Sequence, residues 1–305
     1  MTPDPHRPTR WKTFTPASTA SAVVVVALLG SVLVTTSSDH ATTPPVATAP
    51  PVAPAPPSNP PASGFPDASS TGVPTGTRLI PSGPLHITKA DTTLDALDIT
   101  NGIVIDAPNI TITRSNIHGT GNYGIQVASG NLTITDSTIT GFDNCIGFDD
   151  WKAVRVEITG SHGDGAKLGS NVTLASSWIH DLDPAEGAHS DGAQVQSGVR
   201  DTTVTGNTIN LTGGSGTPAN SALFLAPDQG PSTDGPLTVT GNLLGGGNFT
   251  VYCVDGNDGE YTIGNITIAD NTFLPGTSEY GPVRVNVPVR WSGNVLLGAL
   301  TSFAP

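Results

Sequence analysis

Two near-copies of one string, His162-Gly-Asp164-Gly-Ala-Lys167 and His189-Ser-Asp191-Gly-Ala-Gln194, stand 27 residues apart. If that interval is one turn of a coiled chain, equivalent side chains of the two copies lie about 5 Å apart. Two imidazoles, two carboxylates and an ammonium gathered in this way suit proton transfer on a sugar ring, where one group moves a proton and another steadies the charge that develops. Lys167 or His189 would take the proton α to a uronate carboxylate, and His162 would assist the leaving oxygen. Asp164 and Asp191 would orient the imidazoles or hold a cation, and Gln194 would bind sugar hydroxyls. Hydrolysis through the aspartate pair is the nearer variant. The plainer reading is a turn: Asp-Gly is a turn dipeptide whose carboxylate accepts backbone N–H groups at a corner.

Around these copies runs a surface column, Val104, Gln126, Gly147, Lys167, Gln194, Phe224 and Arg284, polar at its centre. Gln126, Gln194 and Phe224, together with Trp151, are the candidates for gripping a sugar chain, the aromatic rings by stacking. Lys152, Arg155 and Lys167 either form a cationic patch for an anionic glycan or pair with Asp149, Asp150 and Glu157. The adjacent acids Asp149 and Asp150 offer hard oxygens to Ca²⁺, a weak signal without the dense ligand spacing of a dedicated calcium loop. No other cofactor is implied. Asp181, Asp183 and Glu186 belong to a long segment leading into His189, and long segments also surround residues 212–220 and 226–236. Such loops build cleft walls.

The elements that must hold these residues announce themselves by repetition. Asn109-Ile-Thr-Ile-Thr recurs as Asn131-Leu-Thr-Ile-Thr, with looser copies near Ala153, Asn171, Asp201, Pro236, Asn265 and Pro288. A second short alternation precedes each copy, as in Gly124-Ile-Gln-Val127 and Gly192-Ala-Gln-Val195. Period-two strands of five or six residues, cornered by Gly, Asn, Asp and Ser, cannot bury an apolar face alone and must stack on their neighbours. The expected architecture is all-β: a single-stranded right-handed parallel β-helix, or solenoid. Ile117, Ile139, Ile179, Ile209, Leu244, Phe273 and Leu296 would line one interior column. Asn207, Asn242, Asn271 and Asn294 would stack their amides at a corner. The histidine position is expected to continue through Ile99 and Phe142. Cys145 and Cys253 fall four coils apart, about 19 Å, too far for a disulfide, so two free thiols are expected.

Composition agrees and excludes. The chain has 12 Lys and Arg against 25 Asp and Glu, and after residue 63 the ratio is nine to twenty-three, so nucleic acid is not an expected partner. No phosphate loop, Gly-x-Ser-x-Gly elbow, His-Glu-x-x-His or paired Cys-x-x-Cys occurs. The first residues are a different polymer. Arg7, Arg10 and Lys12 precede an uncharged Ala- and Val-rich run, residues 17–34, that reads as an export signal or a membrane anchor. The expected division is residues 1–36 as signal or anchor engaging membrane or export machinery, 37–64 as a Pro/Ala/Thr-rich linker, and 65–305 as the β-helix. The folded part is accordingly expected to be secreted or displayed at the cell surface, and monomeric.

The opening Phe65-Pro-Asp-Ala-Ser-Ser-Thr-Gly-Val-Pro74, the string Asp164-Gly-Ala-Lys167-Leu-Gly-Ser-Asn171 with Ile179-His180-Asp181-Leu182, and Gly187-Ala-His189-Ser-Asp191-Gly-Ala-Gln194 resemble secreted actinobacterial right-handed parallel β-helix proteins of the pectate-lyase-like superfamily. The resemblance spans about residues 65–305 and implies the right-handed fold and a tendency toward polysaccharides. The chain departs from polygalacturonases, whose paired acids precede a Gly-His-Gly, and from the Arg-bearing signature of pectate lyases. The function expected is that of an exported polysaccharide lyase or hydrolase acting on an acidic extracellular or cell-wall polysaccharide. The alternative is a non-catalytic surface protein that binds a glycan, in which Phe224, Tyr252 and Trp151 matter more than the histidines.

Overall fold

The computed structural model describes residues 64–305, apart from residues 196, 215–216, 229 and 300. The expected signal or anchor and most of the linker lie outside the described residues. Within them the chain winds as stacked coils, every pairing between named strands being parallel. Each coil contributes three strand segments. Two of the resulting strips merge into a 16-stranded sheet, because the strands Ile103–Thr113 and Tyr123–Thr135 run through both; the third strip is a separate 10-stranded sheet. Apart from one 3-10 turn at Asn257–Gly259, no helix interrupts the described coils.

The alternation read from the sequence is the reason. In Asn131-Leu-Thr-Ile-Thr135, Leu132 and Ile134 are buried while Thr133 and Thr135 face outward, as a half-buried strand requires. Stacking then turns each inward position into a column. In the 10-stranded sheet it runs Ile99, Ile117, Ile139, Ile158, Ile179, Ile209, Leu244, Phe273 and Leu296. Ile99 thus belongs here, not with the histidines, because the loop between the third strip and the next coil is shorter near the amino end. Phe142 does precede His162 at the corner, and its carbonyl accepts the His162 N–H at 2.9 Å.

The corner before the 10-stranded sheet explains the polar residues among these hydrophobics. One residue in each coil adopts a left-handed backbone there: Arg114, Asp136, Arg155, Ser176, Gly206, Gly241, Asp270 and Gly293. The next residue points inward, into a space where an apolar side chain would leave backbone N–H groups unpaired. Early coils place serine there, Val156 excepted: the Ser115 N–H bonds Ser137 Oγ at 3.0 Å, and the Val156 N–H bonds Ser177 Oγ at 3.0 Å. From Asn207 onward the amides stack, with Nδ2 to Oδ1 distances of 2.9, 2.8 and 2.9 Å through Asn242, Asn271 and Asn294. All four asparagines are fully buried. The ladder expected from the sequence is present and is architecture.

Cys145 and Cys253 are separate free thiols, both in the core. Burial pushes both thiols up to about 12, so they are small packing groups and poor nucleophiles.

A feature the repeat did not foretell is the path of residues 65–74. This segment forms a turn around Asp67, whose carboxylate sits below its ordinary range because the Ser69 hydroxyl and N–H bond it. It then lies against the 10-stranded sheet, where the Gly72 N–H bonds the Arg155 carbonyl and the Val73 N–H bonds Thr138 Oγ1. A side chain at Gly72 would strike Glu157 and Thr138. Beside it, Glu157 bonds His180, which also bonds Asp181 and stacks on Trp178. The bond from His180 holds the Glu157 carboxyl below its usual range. Burial alone would lower His180, but its two carboxylate partners outweigh this and raise it.

Candidate functional site

Strand Asp164–Leu168 lies beside Asp191–Val195, with Lys167 opposite Gln194 and Ala166 opposite Ala193. The duplicated strings therefore occupy adjoining rungs, in the register their spacing demanded. The same strip continues to Asn144–Gly147 and Tyr123–Thr135 on one side and to Ser221–Leu225, Phe249–Cys253 and Gly281–Val285 on the other. Its outward column is Val104, Gln126, Gly147, Lys167, Gln194, Phe224, Tyr252 and Arg284. Tyr252 fills the place missing from the sequence column, because the Gly-rich stretch before Phe249 blurs that copy of the repeat.

At the centre the charged groups interlock. Lys167 Nζ donates to Asp164 Oδ2 and to Gln194 Oε1. The other oxygen of Asp164 accepts the Asp191 N–H at 2.7 Å. Asp191 Oδ1 accepts from Ser221 Oγ and, at 3.0 Å, from Asn220 Nδ2, and Asn248 Nδ2 reaches Asn220 Oδ1 at 3.3 Å. Asp164 is 5% and Asp191 1% exposed, so the carboxylates form a floor, and the Lys167 side chain, 18% exposed, is the charged group that reaches the surface. An ammonium has three donors; two are spent inside, leaving one for a ligand.

Burial, followed by the nearby charge of Asp164, holds the Asp191 carboxyl well above the usual carboxylate range, although Ser221 and Asn220 pull the other way. A carboxyl with a raised folded-state value binds its proton more tightly folded than unfolded. It costs nothing below the unfolded value, and its cost grows as pH rises from there through the folded value. Asp191→Asn keeps an oxygen for Ser221 and Asn220 and removes the ionisation. The expected result is a melting temperature above that of the parent at neutral pH, with the gap closing as pH falls to about 3. A gap that widens toward acid would contradict the assignment.

The histidines serve differently. His162 Nδ1 lies 3.1 Å from the Asp183 carbonyl and 3.8 Å from its carboxylate, and the Ala185 N–H bonds the His162 carbonyl. His162 thus pins the loop of Asp181, Asp183 and Glu186 to its coil. His189 is exposed, two residues before Asp191 at the same corner. Both histidines stand on the rim of the strip.

Two sequence candidates are corrected. Trp151 is 1% exposed, pairs inward beside Leu132 and donates Nε1–H to the Phe148 carbonyl at 2.9 Å. Its ring has no free face for a sugar. Two large residues, Leu132 and Trp151, simply fill the same interior column. Asp149 and Asp150 spend side-chain oxygens on the fold: Asp149 Oδ1 accepts the Ser170 N–H at 2.6 Å and Asp150 Oδ1 accepts from Asn171 at 2.9 Å, bracing a left-handed corner. Among the described residues no three His, Cys, Asp or Glu side chains converge on a point where a metal could sit. The cationic patch also dissolves, since Arg155 pairs with Asp136 at 2.7 Å and Lys167 with Asp164, while Lys152 is exposed on the neighbouring strip.

The sequence picks out Phe224 and Tyr252, but not the aromatic flanks to which they belong. Tyr123 and Phe148 lie 4.9 Å apart beside Gln126, lining a depression of about 320 Å³ with Asn101, Val104 and Asn122. On the other side of Lys167, Phe224, Tyr252, Phe249 and Tyr280 form a chain of rings with centroids 5.5, 5.3 and 5.7 Å apart. Aromatics make up only 5% of the chain, and their concentration on one strip is the signal that was available: Phe224, Phe249 and Tyr252 alternate in or beside the column already read.

Residues 100–281 match the family model for the right-handed β-helix region. No curated protein and no solved structure matches the chain.

Proposed function

We propose, for a chain that belongs to the right-handed β-helix family, that the strip from Gln126 to Arg284 binds an acidic polysaccharide and that the group around Lys167 is where the polymer is cleaved. The observation that carries this is the order of side chains along the strip. An ammonium with one free donor sits at the centre, amides lie beside it, and half-buried to exposed rings stand on both sides. Rings bind the apolar faces of pyranoses and amides bind their hydroxyls. Six coil steps separate Gln126 from Arg284, roughly 29 Å at the spacing of neighbouring strands, which suits an extended oligosaccharide. The N-terminal run supports an exported protein, for which a polysaccharide outside the cell is the accessible partner.

The reaction proposed is β-elimination. Lys167 donates to the uronate carboxylate and steadies it as charge builds, and exposed His189 takes the proton from the adjoining ring carbon. The electron pair of that C–H bond becomes the new C=C bond, the glycosidic C–O bond breaks, and the departing oxygen takes a proton from water. The burial of both aspartates excludes them from contact with the sugar in this conformation and favours elimination over hydrolysis.

One observation favours a second reading, binding without cleavage: Asp164, Asp191 and His162 all spend hydrogen bonds on their own coils. A single assay separates the two. The protein is mixed with an acidic polysaccharide, and both retention of the polymer and ultraviolet absorbance of unsaturated ends are followed. Retention with new absorbance is expected; retention without it establishes the binding role, and no retention removes both.

A further inference from the structure

The strip's charges are widely spaced, and this bears on the polymer itself. Lys167 and Arg284 are the cations of the outward column, separated by four rungs through Gln194, Phe224 and Tyr252. That is roughly 19 Å at the spacing of stacked strands. Resting on the glycan reading above, we propose that the ligand is a linear heteropolysaccharide with sparse carboxylates, about one sugar in four, and uncharged sugars between them.

Three features point this way. Between the two cations the surface is aromatic: Phe224, Tyr252, Phe249 and Tyr280, the last 61% exposed. The face of an aromatic ring is negative and accepts the C–H face of an uncharged sugar while disfavouring a carboxylate. The second feature is Arg284 itself, exposed, 6.0 Å from the Tyr252 ring centre, and without a carboxylate partner among the described residues. A guanidinium fork is built to take a carboxylate in two parallel bonds. The third is net charge. After residue 63 the chain holds twenty-three acids against nine Lys and Arg, so a polymer charged on every sugar meets a repulsive field that two cations do not offset. An extended pyranose chain advances about one coil height per sugar. A carboxylate at Lys167 therefore places the next one at Arg284 when about three uncharged sugars intervene. The other side of Lys167 agrees, since Gln126, Tyr123 and Phe148 are uncharged.

The test compares three soluble polymers at low salt: polygalacturonate, acidic on every sugar; deacylated gellan, a linear chain with one glucuronate in each four-sugar repeat; and a neutral β-glucan. Affinity is read by retardation in polymer-loaded gels. The expected order has gellan roughly tenfold tighter than either of the others, the gain coming from the charge-assisted bonds at Arg284. Arg284→Ala, at an exposed position, is expected to remove that advantage, so that gellan binds no more tightly than the neutral glucan does to the same variant. Tightest binding of polygalacturonate, or equal binding of gellan and the neutral chain, overturns the sparse-charge proposal and leaves the glycan reading standing. Retention of none of the three overturns the glycan reading itself.

Discussion

Lys167→Met is expected to abolish formation of unsaturated ends and to destabilise the protein by about 3 kcal/mol, the order found when one partner of a buried ion pair is removed. The two losses have different causes. Activity falls because the donor that faces the sugar carboxylate is gone, a change expected to cost at least about a hundredfold in kcat. Stability falls because Asp164, 5% exposed, keeps its charge with only the Asp191 N–H to balance it. A second change separates them. Adding Asp164→Asn removes the stranded charge and keeps an oxygen for the Asp191 N–H, so most of the stability returns while the activity does not. Recovery of both in the double variant would show that Lys167 acts only as a structural counter-ion. Retention of full stability in Lys167→Met would mean that the ion pair is solvated and forms no floor. Chemical denaturation and product absorbance on the same samples are sufficient.

The legible part of this molecule is what the coil repeat imposes. Lys167 beside Gln194, the isoleucine column and the Asn207–Asn294 ladder follow from a spacing, and in a stacked fold a spacing is a position. Trp151 shows the limit. The repeat read from the sequence sets its copy of the template near Ala153, whereas the pairing of Trp151 with Leu132 starts that copy at Asp150, so Trp151 falls outside it and a large aromatic beside two acids invites a functional reading. Asp149 and Asp150 mislead for a related reason, since acids at a left-handed corner brace the backbone and in sequence resemble ligands. The residue 65–74 segment obeys no repeat, so its seat against Thr138 and Arg155 was illegible. The aromatic flank is intermediate. Its members were visible one at a time, but Tyr252 and Tyr280 join Phe224 and Phe249 only once insertions between coils have been absorbed.

Asn242→Leu tests how far the interior depends on hydrogen bonds rather than on apolar packing, and its expected cost is about 4 kcal/mol or more. The side chain is fully buried. Its Oδ1 accepts from both the backbone N–H and the Nδ2 of Asn207 at 2.9 Å, and its own Nδ2 donates to the Val204 carbonyl at 3.0 Å and to Asn271 Oδ1 at 2.8 Å. Leucine is close in volume but answers none of these. It strands the Asn207 N–H and one Asn207 amide hydrogen, at about 1–3 kcal/mol for each buried group left unpaired. The gain from burying a few more apolar atoms is smaller. Asn131 supplies the comparison, because its Oδ1 also accepts a backbone N–H, that of Asn109 at 3.0 Å, but at an exposed corner. There water replaces the lost acceptor, and Asn131→Ala is expected to cost no more than about 1 kcal/mol. Urea midpoints for both variants give the ratio. Equal, small losses would mean that solvent enters the ladder, and the coils would then owe their register to the hydrophobic columns alone.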